Sequence, residues 1–209
     1  MKKFLVVLLT CLPLLAFAKG PVDAKYLAGA VPTENGIVTF RKSFSVPGKS
    51  SEDIYRTISQ YVRQEVVEKA VPGLRTRIIS DEQAERQIVA RVEEFMVFKK
   101  KALNYDRTRF RYQISATVNG NKVELILNQI SYYYNEDQKG ENGTPYKAEE
   151  WITDENALTK KGNKLYPYSG KFRIKTVDRV EAIFEGAMDA FEAKESAVPQ
   201  KKVRKAVIE

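Results

Sequence analysis

The sequence predicts an α+β layer architecture: one antiparallel five-stranded sheet with two helices packed on one face, in the order β-α-β-β-β-β-α. Three observations predict it. Five extended runs alternate apolar and polar residues between turn signals, two other stretches repeat their apolar residues every three or four positions, and an Asn-Gly pair joins two of the long runs into a hairpin.

Ahead of these elements, residues 1–18 have the build of a secretory signal peptide. Lys2 and Lys3 form a basic start, Phe4 to Leu15 an apolar stretch, and Ala16-Phe17-Ala18 a small-x-small cleavage site. The stretch is shorter than the ~20 apolar residues a membrane-crossing helix needs. Cleavage after Ala18 is expected, which places the product in the periplasm or outside the cell. Cys11, the one cysteine, lies behind Leu8-Leu9-Thr10; lipidation there is the lesser alternative, because Thr10 is bulkier than the small residue such a signal carries before its cysteine.

Residues 19–35 contain Pro21, Gly29 and Pro32 and read as an irregular arm ahead of a single domain over residues 36–193. In Gly36 to Val46, residues Val38, Phe40, Phe44 and Val46 share one face, while Thr39, Arg41, Ser43 and Ser45 share the other. Pro47-Gly48 ends this strand. Ser50 or Ser51 offers a helix N-cap, and Glu52 and Asp53 suit the positive end of the helix dipole. Ile54, Ile58, Tyr61, Val62 and Val66 make a buried stripe, in a helix expected to run to about Ala70 before Pro72-Gly73.

Four more extended runs follow, at Arg75 to Ser80, Gln87 to Phe98, Arg107 to Val118 and Lys122 to Tyr133, and they read as an antiparallel meander. Asn119-Gly120 suits a type I′ turn, since both residues tolerate positive φ. With Val118 opposite Asn121, the pairs Ala116 with Val123, Ile114 with Leu125, Tyr112 with Leu127 and Phe110 with Gln129 form the core side. The other side then carries Thr117 with Lys122, Ser115 with Glu124, Gln113 with Ile126, Arg111 with Asn128 and Arg109 with Ile130. The connection over 134–170 is long for a compact domain, with one helical turn around Ala148 to Trp151. A second helix is expected from Phe172 to Ala193, with Ile174, Val177, Val180, Phe184, Ala187 and Phe191 at helical spacing, before a basic tail over 194–209.

Composition narrows the chemistry. With 35 Lys and Arg against 27 Asp and Glu the chain carries +8, or +6 once Lys2 and Lys3 are removed, a balance that attracts acidic partners. The charges are scattered through mixed-sign stretches such as Arg86 to Lys101, and an exported chain rarely meets its own genome, so no nucleic-acid partner is expected. Histidine is absent, which removes Ser-His-Asp and Cys-His nucleophilic systems and imidazole metal ligands. Loss of Cys11 with the leader removes thiolate chemistry. No catalytic residue, metal or cofactor is therefore expected.

Two carboxylate pairs stand out. Glu149-Glu150 beside Trp151 could serve a hydrolase of envelope polysaccharide, the alternative reading, because glycosidases work with two carboxylates. Glu93-Glu94 lies in an otherwise apolar strand, so one of the two must face inward unless a bulge intervenes. A bulge or a buried salt bridge to Arg91 or Arg109 is the simpler reading. The acidic stretch Asn135 to Glu141 lacks the alternating order of a calcium loop.

The segments Lys25-Tyr26-Leu27-Ala28-Gly29-Ala30-Val31-Pro32, Asp106-Arg107-Thr108-Arg109, Ala148-Glu149-Glu150-Trp151-Ile152-Thr153-Asp154 and Ser169-Gly170-Lys171-Phe172-Arg173 give the chain a resemblance to a known family. It resembles an exported bacterial family of unknown function described as having a TATA-binding-protein-like (TBP-like) fold, over most of residues 25–191. The resemblance implies the fold and an envelope location, and brings no catalytic residues with it. Fold alone does not give function.

The expected function is a non-catalytic binding domain that uses its open sheet face and the aromatic residues at its edge, with an envelope protein or glycan as partner. The candidate residues are Arg109, Arg111, Gln113, Asn128, Ile130, Tyr132, Tyr134 and Trp151, since arginine and aromatic side chains are enriched where proteins grip ligands.

Overall fold

The computed structural model describes residues 22–69, 71, 73–101, 104–134 and 143–196. The expected signal peptide, the acidic stretch Asn135 to Glu141 and the tail beyond residue 196 lie outside these residues.

The N-terminal arm is more ordered than its prolines suggest. A 3-10 turn at Ala24–Tyr26 leads into a two-residue hairpin of β1 (Thr33–Glu34) and β2 (Ile37–Val38). Its loop is Asn35-Gly36, with φ of 50° and 78°. Positive φ at both central positions is the type I′ requirement, so this Asn-Gly pair makes the turn that the sequence reading placed at Asn119-Gly120.

β3 (Phe40–Ser45) follows, then α1 (Ser51–Tyr61), which continues as a π-helical turn over Val62–Val67. Ser50 is the N-cap, its hydroxyl accepting from the Asp53 N–H at 3.1 Å, and the expected stripe Ile54, Ile58, Tyr61, Val62 and Val66 is buried. The meander is β4 (Arg77–Glu82), β5 (Gln87–Lys101), β6 (Asn104–Asn119) and β7 (Lys122–Tyr134). The main sheet runs β3-β7-β6-β5-β4, all neighbours antiparallel.

The sheet has a sixth strand that the sequence reading left out. β8 (Thr144–Lys147) pairs with β7 over Ser131–Tyr134, on the stretch of that edge that β3 leaves open. Gly143 and Pro145 hid it, since proline marks only edge strands. Short helices α2 (Ala148–Trp151) and α3 (Asp154–Ala157) precede α4 (Pro167–Ser196). That last helix starts earlier than expected because Pro167 opens it, where a missing N–H costs nothing.

Register in the β6-β7 hairpin differs from expectation in two places. The loop is Gly120-Asn121, so Val118 pairs with Val123, Ala116 with Leu125 and Ile114 with Leu127. Only Gly120, at the first loop position, has positive φ (59°), which fits a type II′ loop. Each strand slides by one residue in the same sense, so the same side chains still face the core. Farther along, Gln113 pairs with Asn128 but Arg111 with Ser131, so Gln129 and Ile130 together oppose Tyr112. This β-bulge, with Gln129 at φ 51°, reverses the alternation of β7.

Both long helices cover one face. Ile88, Ala90, Val92, Phe110, Tyr112 and Ile114 from the sheet pack with the α1 stripe and with Phe172, Val177, Val180, Ile183, Phe184 and Phe191 of α4. Three of the four segments that carry the family resemblance meet at one buried cation. Arg173 is fully buried and donates to the carbonyls of Tyr26, Leu27 and Ile152 and to the Asp154 carboxylate. Asp154 also accepts from the Gly29 N–H at 2.8 Å, and Lys171 reaches Asp106 at 2.8 Å. Along β5, β4 pairs only as far as Arg91 and Thr76 binds Glu93; among the described residues no strand covers the outer edge from Phe95 onward.

Candidate functional site

The face of the sheet away from the helices is left open, and it is rich in arginine. Cross-strand pairing sets Arg77 opposite Arg91, Arg111 opposite Glu93 and Arg109 opposite Phe95, with Arg107 one alternate position farther along β6. Glu93 is 1% exposed although it lies on this face. The segment ahead of β4 folds over it: the Arg75 N–H donates to Glu93 Oε2 at 2.7 Å, and Thr76 bonds to the Glu93 backbone at both N–H and C=O (2.9 Å each).

Two guanidinium groups complete the cover. Arg111 donates to Glu93 Oε1 at 2.6 Å, and Arg109 stands 3.6 Å from the same oxygen. Burial alone pushes the Glu93 carboxyl up, but the Arg75 N–H and the Arg111 and Arg109 cations outweigh it and hold the group below its ordinary value of 4.5. Glu93 therefore stays ionised. Its neighbour Glu94 faces inward and is met by Arg179 of α4 through two bonds of 2.7 and 2.9 Å. The expected salt bridge is thus doubled: one carboxylate is neutralised on each face, with Arg109 and Arg111 rather than Arg91 serving Glu93.

Beside Glu93 lies a cavity of about 360 Å³, lined by Arg75, Arg77, Arg91, Arg111 and the polar side chains of Gln129 and Ser131. Arg91 Nη2 donates to the Gln129 amide oxygen at 2.9 Å, a contact made possible by the bulge that turns Gln129 outward. The guanidinium groups of Arg75 and Arg77 make no ion pair among the described residues. Aromatic rings lie under other arginines: Arg111 stands 4.0 Å from the Tyr133 centroid and Arg107 4.1 Å from that of Phe95.

The candidate residues divide into two groups. Arg109, Arg111, Gln113 and Asn128 lie half-buried on the open face, Gln113 directly opposite Asn128. Ile130 and Tyr132, expected on that face, are 2% and 0% exposed and belong to the core, because the bulge at Gln129 moves them across the sheet. Tyr134 sits at the end of the sheet, donating to Asp106 at 2.8 Å and accepting from Lys171 at 2.6 Å. Trp151 stacks on Tyr146 at 4.3 Å and meets Phe172 edge-on. These rings close the end of the core, the simpler of the two uses open to them.

The cavity residues Arg75, Arg77, Arg91, Gln129 and Ser131 were missed. Their signal is the Arg-x-Arg alternation at 75–77, which gains meaning only once β4 is laid against Arg91. The carboxylate pair of the hydrolase alternative is split in use: Glu149 accepts the Val38 N–H at 2.8 Å and Glu150 is exposed. Among the described residues no cluster of acidic side chains has the arrangement of a metal site, and no helix is long and apolar enough to cross a membrane.

An antiparallel sheet with its helices on one face and the other face open defines an α+β domain of TBP-like fold. The chain belongs to the DUF4468 family, a domain of unknown function with TBP-like fold, whose pattern matches residues 40–133. It is 35% identical to a DUF4468 family protein from Bacteroides ovatus, over 87% of this chain and 98% of that one, with a TM-score of 0.74. A TBP-like protein from Parabacteroides distasonis, 18% identical, shares the fold with a TM-score of 0.62 over 78% of this chain and 97% of its own. No curated protein matches the chain.

Proposed function

We propose that this chain is an exported, non-catalytic binding domain that holds an acidic envelope protein or glycan on its open sheet face. One observation carries the reading: Arg41, Arg77, Arg91, Arg107, Arg109 and Arg111 share that face with three acids, Glu82, Glu93 and Glu124, and Glu93 is buried. Such a surplus of one sign raises the local concentration of oppositely charged ligands and speeds their encounter. The leader-like residues 1–18 support an envelope setting.

The test is capture from envelope extract by the purified chain, at low and moderate salt, beside the variant Arg107→Gln/Arg109→Gln. That variant leaves Arg111 on Glu93 and leaves the cavity lining intact. An acidic partner retained at low salt and reduced at least about tenfold both by salt and by the variant is the expected result. Equal capture by both proteins would make the face a solvated surface and nothing more.

A further inference from the structure

We infer that the cavity beside Glu93 is a subsite for a dianionic phosphoryl group carried by a larger ligand. This deepens the open-face reading and rests on it, but it concerns a particular place on that face.

Charge is the first reason. Four arginines line the cavity against one carboxylate, and that carboxylate is already spent: Oε2 takes the Arg75 N–H and Oε1 takes Arg111. Glu93 acts as a fixed counter-charge that holds Arg111 down at the floor. The guanidinium groups of Arg75, Arg77 and Arg91 are left as the positive wall, all three residues exposed. A single carboxylate would neutralise one of these cations, whereas a phosphoryl dianion offers three strong acceptor oxygens to three forks.

Preorganisation is the second reason. Arg91 is held by Gln129 at 2.9 Å, and Gln129 is aimed outward by a backbone in the left-handed region (φ 51°). A non-glycine residue adopts that conformation only under constraint from its surroundings. Here the strained position supplies the side chain that fixes an arginine at the cavity wall. The volume of about 360 Å³ exceeds what one phosphoryl group fills, leaving room for the moiety that bears it.

The test is calorimetric titration of the purified chain with inorganic phosphate at about pH 8, where the dianion predominates, and with acetate as the monoanion. Saturable phosphate binding is expected, at least about tenfold tighter than acetate. It should be lost in Arg75→Gln/Arg77→Gln and retained in Arg107→Gln/Arg109→Gln. Two further arms assign the source: a hexose phosphate that binds tighter than phosphate points to a phosphorylated saccharide, and tighter binding to phosphatidate-containing vesicles points to a lipid headgroup. No saturable phosphate binding, acetate binding as tight as phosphate, or binding unchanged by Arg75→Gln/Arg77→Gln overturns the inference. Those results would leave partner capture through Arg107 and Arg109 standing, so the two readings fail separately.

Discussion

Among the described residues two charged side chains, Glu93 and Arg173, are buried almost completely, and they answer to different needs. Glu93 is held ionised by Arg111, Arg109 and the Arg75 N–H, so Arg111→Ala should strand the carboxylate and cost about 3 kcal/mol. Thermal unfolding measures it. Because the folded Glu93 carboxyl lies below 4.5, the stability it contributes is present above that pH and lost as pH falls towards its folded value. Glu93→Gln should accordingly flatten the fall of unfolding midpoint with pH below 4.5; an unchanged slope would assign the acid sensitivity to other carboxylates, such as Asp81 and Asp178, whose values are also lowered. At this scale the sequence was half legible. Alternation showed that one of Glu93 and Glu94 had to turn inward, but which arginine answered each depended on strand pairings separated along the chain.

At the scale of elements, legibility followed periodicity. The α1 stripe, the cap at Ser50 and most of the buried face of α4 could be read from spacing alone, because a helix fixes its own neighbours. The bulge at Gln129 could not, since nothing in a run such as Leu127-Asn128-Gln129-Ile130 marks an unpaired residue; only burial of Ile130 and Tyr132 against Phe110 decides it. The Asn-Gly pairs at 35–36 and 119–120 illustrate the same limit. Each favours a tight turn, and the flanking strands choose the turn type. Gly186 in α4 offers a test of helix packing. A Cβ there would come within 2.8 Å of the Tyr61 hydroxyl, which donates to the Ile183 carbonyl at 2.8 Å and whose burial pushes its phenol up to about 12. Alanine favours an isolated helix by about 1 kcal/mol over glycine. In this protein Gly186→Ala should instead lower stability by about 1–2 kcal/mol, measured by urea unfolding, because Tyr61 must leave its bond.

On the scale of the whole molecule, Arg173 joins parts that are distant in sequence: the arm at Tyr26 and Leu27, the turn at Ile152, the acid at Asp154 and the last helix. A guanidinium fork can serve several carbonyls at once and an ammonium cannot match that geometry. Arg173→Lys should cost about 3 kcal/mol, visible as a lowering of the unfolding midpoint by roughly 5–10 °C with the arm becoming protease-sensitive. Three of the four short segments that carry the family likeness are thereby joined, and the fourth is tied on through Asp106 and Lys171, at the end of the sheet opposite the β6-β7 loop. What remained illegible was the cavity, because its arginines come from three separate segments and acquire a common purpose only in the folded sheet.

The outer edge of β5 beyond Glu93 has a further implication for how copies of this protein treat one another. A strand edge that no described strand covers offers its amides and carbonyls to any similar strand, which is the first step of edge-to-edge stacking and fibre growth. Here that edge ends in Lys99 and Lys100, both exposed, and the register breaks between Val97 and Lys99. Two such edges brought together would set like charges and mismatched ladders against each other. The strand that floors the cavity thus also carries the features, exposed like charges and a broken register, that oppose edge-to-edge pairing of two copies.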